Sequence, residues 1–410
     1  MKSPVPPHAR RARFAVAGLF LANGALFAGV VPRYPEIIAR LHLSNAAFGT
    51  AVAGYGLGAL VMGLVSGFLV ARWGSARVAW GTTVLVAGNL VLIAVAPSWW
   101  ALAAVLVVAG CLDSLADTAE NAHALRVERS YGRSILVSMH GLWSIGAVTG
   151  GVLGAIAAGL GVPLAVHLGV VGAVLACVAV GLGRLLLPGS DRPDEAASAP
   201  AGRPRARTLL ATGRTVLILG LVGAAGQALE DAGATWSPLY LRQELGAAAG
   251  VAGLGFIALQ ASQTVARLLG DRAVTRWGDR WVARGGALLA GTAMAVALVI
   301  ASVPATVVAF ALVGLGIGTF IPASLRAADA LPGLRPGVAL GLVGTVPRLA
   351  VLVGPVLVGL VADATSLRLA LLVVPLAAAV ALVLARSLPG RTDGDAQLQT
   401  SRGPARSARS

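Results

Sequence analysis

A chain of 410 residues that is 57% hydrophobic and only 12% charged falls far below the ~25% charged residues of soluble domains, which excludes a water-soluble globular protein. Its net charge of +15 would suit nucleic acid in a soluble protein, but the arginines gather in short loops and tails with no basic face or recognition motif. Nucleic acid is therefore excluded as a partner, and the charge is read as membrane topology and attraction to anionic lipid.

The start, MKSPVPPHARRARF, is basic and runs straight into an apolar segment. It resembles a signal peptide, but no small-residue cleavage site follows and eleven more apolar runs do, so residues 1–13 are read as a retained basic arm. Runs of about 20 residues, enough to cross a ~30 Å hydrocarbon core, are predicted at 14–38, 46–71, 77–96, 99–125, 134–159, 162–187, 213–241, 248–274, 281–302, 304–330, 336–362 and 366–386. Residues 188–212, rich in Pro, Ala and charge, are predicted as a linker, and 387–410 as a disordered tail. The linker divides the chain into six-helix bundles at 14–187 and 213–386. Lys2, Arg10, Arg11, Arg13, Arg72, Arg77, Arg126, Arg129, Arg133, Arg272, Arg276, Arg280 and Arg284 fall in the arm and alternate loops, whereas the other loops hold only Arg33, Arg40, Arg242 and Arg368. That bias predicts both termini in the cytoplasm, as an even number of spans requires.

Polar residues inside these runs are expensive in lipid and mark function or an interhelical partner. The first run carries Asn23. The fourth carries Asp113, Asp117 and Glu120 with Asn121, a stripe at i, i+4, i+7 and i+8 on one helix face. Clustered carboxylates in a low-dielectric cavity favour proton uptake by one another, so Asp113, Asp117 and Glu120 are the proton-coupling candidates, with pairing of Glu120 to Arg126 as the structural alternative. His140 and Trp143 follow one turn apart, as relay and ring-stacking candidates or as packing. The seventh run has Gln227, Glu230 and Asp231: Glu230 joins the coupling candidates, Gln227 the binding candidates, and Asp231 is left as a residue that can point out of the cavity. The eighth has Gln260 and Gln263, with Arg267 one turn from Asp271 and expected to pair with it. Arg348, mid-span in the eleventh, has no acid at i±3 or i±4 and needs a carboxylate on another helix or an anionic ligand. Tyr55, Trp236 and Tyr240 are read as cavity rim or interfacial aromatics. The cysteines, Cys111 and Cys177, lie in apolar runs and read as small core residues, with no disulfide, metal or cofactor expected.

Sliding the chain by 204 residues superposes Val70, Arg72, Trp73, Gly74, Val78, Gly81 and Leu85 on Val274, Arg276, Trp277, Gly278, Val282, Gly285 and Leu289, and Gly49, Gly110 and Gly150 on Gly253, Gly314 and Gly354. The same offset pairs Asn23 with Gln227. A constant offset over about 100 residues predicts an all-α membrane protein of twelve transmembrane helices in two parallel six-helix repeats, with a cavity between the halves near the midplane.

Two six-helix halves, a charged linker and a repeated Arg-Trp-Gly turn resemble the major facilitator superfamily over essentially the whole chain. Its loop signature appears as Gly67-Phe-Leu69-Val-Ala71-Arg72-Trp73-Gly74, with Ala71 at the acidic position and Thr275 in the second copy. The resemblance implies a cytoplasmic gating motif of Gly67, Arg72 and Gly74 with Arg276 and Gly278, to which Asp271 and Arg272 are expected to supply a charge pair. Asp117-Thr-Ala-Glu-Asn121, Met139-His140-Gly-Leu-Trp143, Thr235-Trp236-Ser237 and Gly354-Pro355 are most similar to the fucose-permease branch. There a carboxylate four residues before an Asn takes part in proton coupling, which implies that role for Asp117; the second acid of those permeases, four residues before a proline, is Ala28 here. The resemblance implies an inner-membrane secondary transporter, working as a monomer, that moves a small polar solute by alternating access with protons. An exporter of amphipathic metabolites or drugs is the alternative; from another class, a non-transporting sensor. No P-loop, HExxH or nucleophile elbow is present, so the chain is not read as an enzyme.

Overall fold

The computed structural model describes residues 6–132, 135–189, 206–329, 331 and 336–389. These form helices joined by short turns, and twelve of the helices are long and apolar enough to cross a membrane. They are span 1 (Pro7–Leu41), span 2 (Asn45–Gly63), span 3 (Ser75–Val95), span 4 (Trp99–Tyr131), span 5 (Leu136–Gly159) and span 6 (Leu164–Gly183). The second half has span 7 (Gly213–Glu244), span 8 (Ala249–Trp277), span 9 (Asp279–Ile300), span 10 (Val303–Ala328), span 11 (Leu342–Ala364) and span 12 (Leu367–Ser387). Large apolar side chains such as Leu64, Leu160, Val299 and Leu376 are exposed around the bundle, the surface a hydrocarbon solvent demands.

Several expected boundaries move. The basic arm is helical from Pro7, with proline in the first turn where its missing N–H costs nothing. Ala9 and Ala12 are buried, and Arg13 donates to the Tyr131 hydroxyl at 2.9 Å with its guanidinium 4.9 Å from that ring. Small residues at i and i+3 give the arm a face to pack, which its charge concealed. Residues 206–212, assigned to the linker, also belong to a helix; linker residues 190–205 and tail residues 390–410 lie outside the described residues. Span 2 stops at Gly63 and the chain resumes as a short helix, Ser66–Trp73, instead of running unbroken to residue 71. Span 7 contains π-helical turns at Ala232–Trp236 and Tyr240–Glu244. The first directly precedes Pro238, which lacks an N–H and whose ring would crowd the carbonyl four residues back.

The repeat governs the packing. Span pairs 1–5, 2–4 and 3–6 of the first half recur as 7–11, 8–10 and 9–12 of the second. At the offset-related turns Gly74 and Gly278 take φ of 87° and 80°, a region only glycine occupies without strain. Gly67, whose place in the implied gating motif would suit a close helix approach, faces open space instead.

The arginines at the end away from the termini, exceptions to the charge bias, serve the backbone. Arg40 donates to the carbonyls of Ile93, Ala94 and Ala96 at the end of span 3, and Arg368 to Leu298 and Val299 at the end of span 9. Both satisfy carbonyls that a helix C-terminus leaves without partners. Arg33 meets Glu36 and the Val162 carbonyl, and Arg242 the Ala247 carbonyl at 2.7 Å.

The two halves meet at that same end. A Cβ on Gly49 would lie 2.2 Å from the Pro355 carbonyl oxygen, one on Gly359 2.5 Å from that of Asn45, and one on Gly250 3.1 Å from the Gly159 Cα. Phe48 meets Trp236 edge-on at 6.2 Å. Toward the termini Asp117, His140 and Arg348 are exposed. The halves thus close over one end of a central cavity and leave the other accessible. Trp236 and Tyr240, read as cavity rim or interfacial aromatics, are buried in this seam and the adjoining core, and Cys177, expected in the core, is exposed.

Candidate functional site

A cavity of about 240 Å³ lies between the halves, lined by Asn23, Phe27, Tyr55, Asp113, Asp117, Glu120, Trp143, Gln227, Glu230, Asp231 and Gln260, among others. A narrower annex of about 100 Å³ adjoins it toward the closed end; it shares Phe27, Tyr55, Asp113 and Asp231 and adds Leu26, Val52, Val86, Asn89, Leu90 and Leu106.

Glycine contacts between helices set the positions of the first-half side chains. On span 4 a Cβ at Gly110 would sit 1.9 Å from the Tyr55 carbonyl oxygen, and on span 2 one at Gly58 would sit 2.0 Å from that of Val107. Bare backbones therefore touch, and the Tyr55 hydroxyl reaches Asp113, one turn beyond Gly110, as its hydrogen-bond donor. Spans 1 and 5 approach through Gly24 and Gly146 in the same way, which sets the Trp143 indole to donate to Asn23 Oδ1 at 3.0 Å. Phe27 lies 5.9 Å from Trp143 and 6.1 Å from Tyr55, completing an aromatic wall.

The span 4 stripe divides its work by depth. Asp117, near the open end, accepts from Asn121 Nδ2 at 2.7 Å, and Asn121 Oδ1 lies 3.2 Å from His140 Nε2. His140 packs edge-on against Phe20 at 5.3 Å. The charges of His140 and Arg348 both act at Asp117, a residue of the stripe. Glu120 is 1% exposed; it bonds to Thr83 of span 3, and its Oε1 has no hydrogen-bond partner. Arg126, the alternative partner for Glu120, donates instead to the carbonyls of Pro188 and Gly189.

In the second half, Glu230 Oε2 accepts from Gln263 at 2.9 Å and lies 3.7 Å from Arg267. Arg267 therefore turns to Glu230 and not to Asp271, because a half-buried carboxylate across the cavity wall gains more from the charge than an exposed one near the helix end. Gln227 donates to Asp231 at 3.0 Å. Asp231 lines both the cavity and the annex, correcting the expectation that it can point outward. Gln260 is 2% exposed with its Nε2 unpartnered.

The gating-motif residues lie away from this cavity, at the turns near the termini. Arg72 is exposed, and Arg276 stacks over Trp277 at 5.6 Å. Asp271 lines a separate cleft with Arg267 and Arg326. Among the described residues, the ion pair that joins helices at this turn is Asp279 with Arg326 at 2.6 Å, residues the sequence reading did not single out in place of Asp271 and Arg272. Sequence reasoning also missed Phe27 and Asn89. The 204 offset pairs Phe27 with Asp231, a signal that could have nominated both; Asn89 offered none beyond being an amide in an apolar run.

The Major Facilitator Superfamily model matches residues 16–240 and 216–409. The chain belongs to this superfamily and is a multi-pass membrane transporter of its type. It is 31% identical to the uncharacterized transporter y4wD of Sinorhizobium fredii over 90% of this chain and 96% of that one. It is 27% identical to the membrane protein MosC of Rhizobium meliloti over 87% and 85%. Among solved structures it resembles the nucleoside transporter NupG (D323A mutant), with TM-score 0.75 and 14% identity over 92% of this chain and 98% of that one. It also resembles a bacterial homolog of the human lysosomal transporter Spinster, inward-facing and unoccupied, with TM-score 0.71 and 16% identity over 94% and 98%. At such identities these two likenesses speak for the fold alone.

Proposed function

We propose that the protein is a secondary active transporter that moves a small polar solute across the cytoplasmic membrane by alternating access, coupled to protons through Asp117. The observation that carries this reading is the position of Asp117: an exposed carboxylate at the open mouth of the inter-half cavity, held by Asn121 at 2.7 Å and flanked by His140 and Arg348. Such a group exchanges protons with the open side and changes environment when the halves rock. Asp113, Glu120 and Glu230 extend the acidic lining inward. Asn23, Asn121, His140, Trp143, Gln227, Gln260, Gln263 and Arg348 supply binding groups around the cavity. The arginine bias argues for cytoplasmic termini, and with them the open end is inward-facing. Gly67, Arg72, Gly74, Asp271, Arg272, Arg276 and Gly278 lie at the cytoplasmic turns where a gate closes. The fucose-permease likeness belongs to this proposal and draws on Asp117 and Asn121 being joined four residues apart.

A second reading, export of an amphipathic metabolite, draws on the apolar annex beside Asp113 and Asp231. The test is internal pH in proteoliposomes on adding candidate solutes, wild type beside Asp117→Asn. Solute-driven proton movement that the substitution abolishes supports coupling through Asp117, and the sign of the pH change separates symport from antiport. Undiminished proton movement in Asp117→Asn sinks that assignment.

A further inference from the structure

We propose that the solute is an organic cation: a protonated primary or secondary amine whose ammonium sits between Asp113 and Asp231, its body against Phe27, Tyr55 and Trp143 and its apolar end in the annex beside Asn89. This deepens the transporter reading and rests on it.

The first argument is charge. Five carboxylates, Asp113, Asp117, Glu120, Glu230 and Asp231, line the cavity, and among the described residues no arginine or lysine does. Neither of the two nearby cations is among its lining residues. Arg267 meets Glu230 at 3.7 Å, and the charge of Arg348 acts at Asp117, by the mouth. Deeper in, Asp113 has only the Tyr55 hydroxyl and Asp231 only the Gln227 amide as hydrogen-bond partners, both neutral donors. A carboxylate in a membrane interior is stable when a cation meets it. Asp113 and Asp231 are the two acids that line cavity and annex together, so the ligand's charge belongs at that junction.

The second argument is the sign of what is left over. Buried atoms without partners around this space are Glu120 Oε1, Asp231 Oδ2, Asn89 Oδ1 and Gln263 Oε1, against one donor, Gln260 Nε2. Glu120, Asn89, Gln260 and Gln263 are all at most 4% exposed. The amide orientations of Asn89 and Gln263 follow from their nitrogens, which donate to the Val105 carbonyl at 3.3 Å and to Glu230 at 2.9 Å. Unpartnered acceptors outnumber donors, so the complement is a molecule that donates. An anionic solute would add acceptors to acceptors. A neutral hydroxylated solute would satisfy hydrogen bonds and leave the charges of Asp113 and Asp231 to be met by protons alone.

The third argument is shape. The aromatic wall stands beside Asp113, and ring faces attract a cation as well as packing against a flat body. The annex walls are largely aliphatic, supplied by Val30, Val52, Val86, Leu90 and Leu106, suiting an uncharged end.

The test scores binding to the purified full-length protein with three near-isosteric probes: phenethylamine, phenethyl alcohol and phenylacetate, followed by quenching of tryptophan fluorescence and by calorimetry. The amine is expected to bind at least tenfold tighter than the alcohol, with no binding of phenylacetate. Asp113→Asn and Asp231→Asn are expected to erase that preference while leaving the alcohol unaffected. Asp231→Glu is expected to restore it, and Gly81→Ala, whose added methyl enters open space, serves as the unaffected control. Equal affinity for amine and alcohol, preference for phenylacetate, or no binding of the amine at millimolar concentration overturns the proposal. Because binding is scored without transport, the two readings fail separately: undiminished proton movement in Asp117→Asn would sink coupling through Asp117 and leave the amine preference as measured.

Discussion

The seam at the closed end contains a hydrogen-bond arrangement whose removal has a calculable effect. The first four N–H groups of a helix have no partner within it. At the start of span 2, Phe48 N makes the first bond within the helix, to the Ser44 carbonyl at 2.9 Å, and Ala47 N before it donates to the capping Ser44 Oγ at 3.2 Å. Asn45 N and Ala46 N, two more of the groups without a partner within the helix, donate to Asp363 Oδ1 and Oδ2 at 2.9 and 2.8 Å. Asp363 stands on span 11, in the other half, so one carboxylate caps a helix across the seam only while that end is shut. Asp363→Ala removes both bonds and the charge at the positive end of the helix. Because the site is exposed, water takes over the N–H groups, and the loss is that of a surface cap, about 1 kcal/mol, plus a helix-dipole contribution of about 0.3–1 kcal/mol. A total of roughly 1–2 kcal/mol moves the ratio of the two conformations by roughly five- to thirtyfold toward opening of the far end. Spin labels at Thr50→Cys and Thr365→Cys, in a background lacking Cys111 and Cys177, report the separation by pulsed electron resonance. The long-distance population is expected to grow in Asp363→Ala and by less in Asp363→Asn, which keeps an acceptor oxygen. A distance distribution identical to that of wild type would refute the latch.

Three further outcomes follow from local geometry. Gly74→Ala and Gly278→Ala put a side chain at φ of 87° and 80° and are each expected to cost about 1–3 kcal/mol, read as a lower unfolding temperature in detergent; a temperature matching wild type would remove the turn argument. Gly146→Val drives a branched side chain into the Leu21 carbonyl, where even a Cβ would lie 2.0 Å away. Backbone cannot yield as a side-chain tip does, so separation of spans 1 and 5 and loss of a monodisperse peak in size exclusion are expected; a well-folded variant would contradict the packing described. Trp143→Phe strands Asn23 Oδ1, a group only 4% exposed, at a cost of about 1–3 kcal/mol, and a double-mutant cycle with Asn23→Leu should return a coupling energy well above zero.

Residues whose meaning is set by hydropathy or local geometry were readable from the chain. The twelve runs follow from bilayer thickness, and the Arg-Trp-Gly turns announce themselves because φ near 80° selects glycine twice, 204 residues apart. The acidic stripe of span 4 was equally visible, since three carboxylates at helical spacing in an apolar run demand a cavity or a partner. Partners across helices were not visible. Arg267 stands one turn from Asp271, yet it meets Glu230, and that choice depends on how span 8 rotates against span 7. Asp231 follows Glu230 directly, and nothing local says that both line the cavity in a helix carrying π turns. Asp363 and the N–H groups of Asn45 and Ala46 lie more than 300 residues apart; no spacing rule joins them. Gly67 misled because a family signature position need not keep its packing role in each chain.

The distribution of acids between the halves bears on how transport is gated. The offset counterparts of Asp113, Asp117 and Glu120 on span 10 are Ile317, Ile321 and Ser324, while Glu230 and Asp231 of span 7 answer to Leu26 and Phe27. Each half therefore contributes acids from a different helix of the repeat, and the cavity between them is lined by carboxylates from both. Rocking the halves toward an occluded state brings these like charges together with less water between them. At ~7 Å and an effective dielectric of ~20, each uncompensated pair costs about 2 kcal/mol. The empty, fully ionised protein is thereby disfavoured in the occluded state, and protons or a cationic solute bridging Asp113 and Asp231 lower that barrier. A ligand shifts a conformational equilibrium only through contacts that differ between the states, and a cation shared by both halves makes such contacts. Asp231→Asn removes one side of the repulsion. On this account it should let the empty protein cross between conformations, seen without solute as a larger long-distance population between the spin labels at Thr50→Cys and Thr365→Cys. If the solute-free distance distribution of Asp231→Asn matches that of wild type, repulsion between the halves is not what holds the empty carrier in one conformation.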